Sequence, residues 1–268
     1  ILRIYGECSG QCVNKEKSSI FFSPNTPSTV RTIVKTAMGI SVEAFIERYL
    51  GLPTTVGQIT SDTFDFVGER VRSKLNGGTE RLVSCAAREV LIKSKAQAVP
   101  TYTMSCFKLT NKVHKNISSP MAKFWWSSSV DRRSLHQIDW KSLSLPKIRG
   151  GMGFRDLECF NIALLGKHGW RLITSPNSLC SRVLKGRYFP NTDFMHATVP
   201  CNASATWRAI IAGRAALHTG LLKRIGDGSS TRVWQDGWLP GKLSLRPNAQ
   251  IGTTPINLVS DLIDDVTW

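Results

Sequence analysis

The run from Arg81 to Trp126 constrains the fold of this chain most, because its residues keep a helical period for several turns before a proline intervenes. Val83, Ala86, Ala87 and Val90 recur at three-and-four spacing, which predicts one packing face. Arg81, Arg88 and Lys95 stand seven apart, about two helical turns, which predicts a cationic row on the opposite side. Such a row is either a solvated face or a contact surface for a polyanion. Pro100 should end or kink the helix, with Tyr102, Met104 and Phe107 following as a second apolar group. Asn111 to Trp126 reads as a further helix, interrupted by Pro120. Upstream, Ser61 to Leu75 carries Phe64, Val67, Val71 and Leu75 at helical intervals, with Ser61 or Asp62 as N-cap. Arg70, Arg72 and Lys74 lie near its end, where the helix dipole favours cations. The expectation is a mainly α fold with a small β remnant, three basic helices in succession forming its centre.

The charge balance points the same way. The 268 residues hold 35 Lys and Arg against 19 Asp and Glu, a net charge of +16. A polyanion is the first partner to expect, through phosphate neutralisation and counterion release. A hydrophobic content of 41% is too high for wholesale disorder. No stretch approaches the roughly 18 to 20 apolar residues that span a bilayer, so no membrane partner is expected. Seven scattered cysteines favour reduced thiols, and with them an intracellular location, nuclear or cytoplasmic. Cys8 and Cys12 lack a second Cys or His pair at zinc spacing, so structural zinc is not expected.

Elsewhere the sequence punctuates itself. Ser19 to Ser23 is short and apolar enough for a buried strand, and Val30 to Met38 for a short helix. Gly150, Gly151 and Gly153 lack the spacing and the Lys-Ser/Thr of a phosphate loop, so they read as a turn delivering the chain to an N-cap at Asp156. Leu157, Phe160, Ala163 and Leu164 then trace a helical face. Ser178 to Phe189 and Trp207 to Leu222 predict two more helices, and Gly226 to Gly228 a tight turn. Arg232 to Trp234 and Trp238 to Pro240 suggest a short hairpin, and Leu258 to Asp265 a short acidic helix. Phe124, Trp125 and Trp126 admit two readings, core packing or a stacking surface for bases, and core is the commoner use of consecutive aromatics.

Ala86 to Lys93, Gln97 to Tyr102 and the Phe124-Trp125-Trp126 triplet resemble the segment after the palm in reverse transcriptases of plant LINE-type (non-LTR) retrotransposons. Ser9-Gly10-Gln11, Val13-Asn14 and Lys17-Ser18 are similar to the palm segment after the catalytic Asp-Asp turn, and Gly150 to Lys167 to the family's post-thumb connection. The resemblance covers about Ser9 to Pro240 and departs from the family's pattern at Gly78, Ser127 and Lys223. It implies a palm remnant over 1–58, a helical thumb over 59–130, a helical connection region over 131–240 and a tail over 241–268. Lys17 would correspond to a proton donor for the departing pyrophosphate, though a surface lysine beside a strand is an equally ordinary reading. Tyr49 and Gly51 would support the primer strand. Arg72, Lys74, Arg81, Arg88, Lys93 and Lys95 would grip the duplex by its phosphates, since a polymerase must pass every sequence. The implied partners are an RNA template and an RNA–DNA hybrid or DNA primer.

The family's catalytic carboxylates should precede Tyr5, so this chain alone is expected to be inactive and without a cofactor, Mg²⁺ being implied for the intact polymerase. Asp264-Asp265 lies at the wrong end of the motif order and lacks a preceding aromatic. The other reading is a non-catalytic basic nucleic-acid-binding or scaffold protein derived from a retroelement, or a decayed fragment without activity.

Overall fold

Apolar side chains at helical spacing build nearly all of the structure, a computed structural model that describes residues 2–43, 48–49, 52–53, 62–76, 83–127, 135–239, 247 and 256–263. Among the described residues the fold is mainly helical, as the sequence pattern predicts, with two strands of two residues each. The chain divides into two units, Ile1–Val56 and Gly57–Trp268.

In the first unit, helices α1 (Leu2–Ser9) and α2 (Ser28–Met38) flank a loop. No side chain of α2 is buried. The apolar run at Ser19 to Ser23 yields only a single parallel bridge, Ile20 to Glu43, with Phe21 exposed. Too few apolar neighbours stand there to bury a strand. Strands β1 (Arg48–Tyr49) and β2 (Leu52–Pro53) pair antiparallel, Tyr49 opposite Leu52.

The second unit opens with α3 (Asp65–Leu75), whose Phe64, Val67, Val71 and Leu75 are all buried, matching the predicted face residue for residue. Phe64 rather than Asp62 occupies the N-cap position, and Ser61 lies outside the described residues. The helix packs on α6 (Asn111–Trp126), which runs through Pro120 without interruption. Pro120 has no N–H for the Asn116 carbonyl four residues back. Gly68 of α3 lies against that carbonyl, close enough that an added Cβ would stand 3.1 Å from it. Asn116 Nδ2 donates to Asp65 Oδ1 at 2.9 Å, fastening the same crossing.

Between them run α4 (Cys85–Leu91), a π-turn (Ile92–Ala96) and α5 (Thr101–Cys106). Here the predicted packing face holds only in part, with Val83 and Ala87 half-buried. Val90 is 61% exposed and Ala86 is exposed, whereas Ile92 and Ala96 are fully buried, with Arg88 and Glu89 half-buried on the same side. The larger Ile92 goes to the core, and the polar groups beside it find fixed partners there. Met104 and Phe107 are buried as expected, but Tyr102 points to solvent.

A short helix α7 (Trp140–Leu143) and a glycine-rich turn lead to α8 (Leu157–Thr174). Asp156 caps α8 as predicted, accepting from the backbone N–H of Glu158 and Cys159 at 3.0 Å each. Its buried face is rotated from expectation: Leu157, Asn161, Leu165, Gly166, Gly169 and Leu172 are inside, while Ala163 is exposed. The reason is α10 (Ala205–Gly220), which needs glycines to approach and finds them at Gly166 and Gly169. Helix α9 (Leu179–Tyr188) and the loop after it close a second core around the buried Trp207, stacked on Tyr188 at 4.6 Å and Phe189 at 5.5 Å. The expected hairpin at Arg232 is replaced by an antiparallel bridge from Arg232 to Leu258. The final predicted helix is a 3-10 turn over Val259–Leu262, and Asp264-Asp265 lies outside the described residues.

Candidate nucleic-acid interface

The cations singled out by sequence fall into three groups. Arg81 and Gly51 lie outside the described residues, and of Tyr49 only the backbone is described. Lys17 is exposed in the loop after α1, where its backbone N–H donates to Asn14 Oδ1 at 3.1 Å.

Arg88 and Lys93 are built into the fold. Arg88 Nη1 donates to the Trp125 carbonyl at 3.3 Å, and its buried Nε has no partner. Lys93 Nζ pairs with Glu89 Oε1 at 2.7 Å, donates to the Met152 carbonyl at 2.8 Å and sits 5.7 Å above the Phe154 ring. Lys147 reaches the same Glu89 oxygen at 2.9 Å. Hydrogen bonds from Lys93, then Lys147, hold the Glu89 carboxyl below the usual carboxylate range. Phe154 in turn stacks on Trp140 at 4.9 Å and meets Trp125 edge-on at 5.4 Å. This cluster clamps the π-turn to the glycine-rich turn, and it places Phe124 and Trp125 in packing roles. Glu89 and Lys93 are legible as an i,i+4 pair; Lys147, more than 50 positions away, carries no such signal.

Arg72, Lys74 and Lys95 are exposed. Arg72 pairs with Glu69 one turn back on α3, and Arg70, also exposed, stands 5.4 Å over the Phe66 ring. The helix packs against the π-turn that carries Lys95, so these exposed cations belong to two neighbouring elements. Of the predicted row, Arg88 and Lys95 are described, Arg88 half-buried and Lys95 exposed, with the π-turn between them. A π-turn bonds i to i+5 and advances less per residue than an α-helix, so spacing by seven no longer returns to the same face.

One further titratable group stands out. His114 of α6 is 9% exposed, and neither ring nitrogen has a hydrogen-bond partner. Burial pushes its imidazole below the ordinary value, against the opposing pull of Glu158 and Asp156. With the folded pKa below the unfolded one, the unfolded chain takes up this proton first. Stability is therefore full above about pH 6.5 and falls as pH drops below it. His114→Leu should flatten the fall of the urea midpoint as pH drops below about 6.5. An unchanged slope in the variant would refute the assignment.

Among the described residues no three His, Cys, Asp or Glu side chains converge to hold a metal ion. All seven cysteines are free thiols. No helix of the described residues is long and apolar enough to cross a membrane.

No protein-family model matches the chain. Over 194 residues, 71% of its length, the chain is 32% identical to the "Putative ribonuclease H protein At1g65750" of Arabidopsis thaliana, of which it spans 31%. Over 151 residues, 56% of its length, it is 45% identical to the "Uncharacterized mitochondrial protein AtMg00310" of the same plant and covers 98% of that relative. Identity at that level across almost all of the shorter relative places this chain in the family of the mitochondrial protein AtMg00310.

Proposed function

We propose that this chain is retrotransposon-related and serves as the nucleic-acid-gripping part of a reverse transcriptase. On this reading residues 1–58 are the end of a palm, 59–130 a thumb and 131–240 a connection region. The observation that carries the reading is α3: its apolar face is fully buried while Arg70, Arg72 and Lys74 are all presented to solvent beside the π-turn bearing Lys95. An excess of 16 positive charges makes a phosphate backbone the natural partner for that face. The name of the ribonuclease H relative supports an RNA–DNA hybrid as the form of nucleic acid. Arg88 and Lys93 contribute chiefly by shaping the surface, since both side chains are half-buried and bond to backbone carbonyls, Arg88 through Nη1 and Lys93 through Nζ.

A non-catalytic role is the second reading. It is favoured by the mitochondrial relative, which corresponds almost end to end to a 151-residue stretch shared with this chain. Binding to a labelled RNA–DNA hybrid, titrated against salt with primer extension alongside, tests both. Replacing Arg72, Lys74 and Lys95 by Gln should weaken binding equally across sequences and flatten the log–log salt slope by about 0.9 for each phosphate no longer neutralised. An unaltered slope would sink the grip. Hybrid binding without extension is the expected result for this chain alone, and template-dependent extension would overturn the inactive assignment.

A further inference from the structure

The outer face of α8 is left uncovered by the packing that fixes its inner one. Trp170 is 48% exposed there, an unusual position for the side chain that gains most from burial. Lys167 lies one turn before it, Arg171 directly after and Thr174 one turn beyond, all exposed. Among the described residues neither Lys167 nor Arg171 takes part in an ion pair. The single acidic residue of the helix, Glu158, is in its first turn, about three turns away. An exposed indole beside a pair of cations one turn apart on a rigid helix matches a nucleotide strand: the base has a π-face for the indole and the neighbouring phosphates answer the charges.

We propose that Trp170, with Lys167 and Arg171, is a stacking platform for single-stranded nucleic acid. The proposal rests on the reading of this chain as a nucleic-acid binder, but it assigns a second surface with a different ligand form. A membrane surface fits less well. Interfacial helices need a broad apolar face, whereas Trp170 and Ile173 are the only large apolar side chains of α8 that are exposed, beside Lys167, Arg171 and Thr174.

The test uses the full chain and two fluorescent ligands, an oligouridylate and an RNA–DNA hybrid. Trp170→Ala should weaken oligouridylate binding by about 5- to 150-fold, the range for losing one stacked base. Hybrid binding should be unaffected. Trp170→Phe should recover most of the loss, which separates stacking from damage to the fold. Lys167→Gln with Arg171→Gln should flatten the single-strand salt slope by about 0.7 per phosphate. An oligouridylate affinity indifferent to Trp170→Ala overturns the platform, even if hybrid binding remains sensitive to the α3 cations. Conversely, hybrid binding that ignores the α3 cations defeats the grip and leaves the platform standing. Trp170-dependent binding to phosphatidylserine vesicles in place of the oligonucleotide would assign the face to membranes and overturn it too.

Discussion

Gly213→Ala should destabilise the second unit severely, because one methyl group cannot be placed there without separating two helices. A Cβ at Gly213 of α10 would stand 2.4 Å from both the Gly166 nitrogen and the Leu165 carbonyl carbon of α8. Both are backbone atoms, so no rotamer change relieves the overlap. Overpacking a core typically costs about 1–3 kcal/mol and more where backbone must move. The α8–α10 crossing is the most extensive helix packing among the described residues, so the upper end is expected. Alanine's better helix propensity, worth about 1 kcal/mol, offsets only part of it. Gly186 on α9 is the control, since nothing lies within 4 Å of its missing Cβ. Gly186→Ala should raise the urea midpoint while Gly213→Ala lowers it. Equal shifts in the two variants would mean that the helices do not cross at these glycines.

Asn161→Leu should cost still more. Asn161 is 1% exposed and spends its whole amide on the chain between α5 and α6. Its Oδ1 accepts from the Leu109 N–H at 2.8 Å, and its Nδ2 donates to the carbonyls of Met104 at 2.6 Å and Phe107 at 2.9 Å. Leucine preserves volume but strands one buried donor and two buried acceptors. At about 1–3 kcal/mol for each unsatisfied group, a total of about 3–5 kcal/mol is expected once water relieves part of it. Asn161→Asp separates geometry from chemistry, since it keeps the acceptor, loses both donations and buries a charge. A urea midpoint within error of the parent for either variant would contradict the network.

These two residues also mark where the sequence stops being informative. Helix α3 is readable to the residue, because Phe64, Val67, Val71 and Leu75 are large, regularly spaced and opposed by charge. The cap at Asp156 is readable because an Asx N-cap is a local bond between neighbours. Asn161 gives no warning, since a polar residue at a core position acquires its meaning from carbonyls more than 50 positions away. The exposure of Ala86 and Val90 on α4 has a related cause. Val83, Ala86, Ala87 and Val90 have the right spacing, but small side chains contribute little burial and Ile92 outweighs them. Of the candidate site, the identity of the cations is legible and their engagement is not: Lys93 depends on Met152 and Phe154 across the fold. Trp170 has the opposite difficulty, because an exposed tryptophan and a buried one look alike until the neighbouring helix is placed.

The π-turn at Ile92–Ala96 carries a consequence for descent. A turn closed from i to i+5 holds one residue more than an α-turn, so a helix can absorb an insertion there without forming a loop. Aligning relatives through this segment should therefore place single-residue gaps within a continuous helix rather than at its ends. A lineage that lost the extra residue would keep its helix yet turn the residues on one side of the deletion by about 100° relative to the other, and so change which cations a ligand could reach.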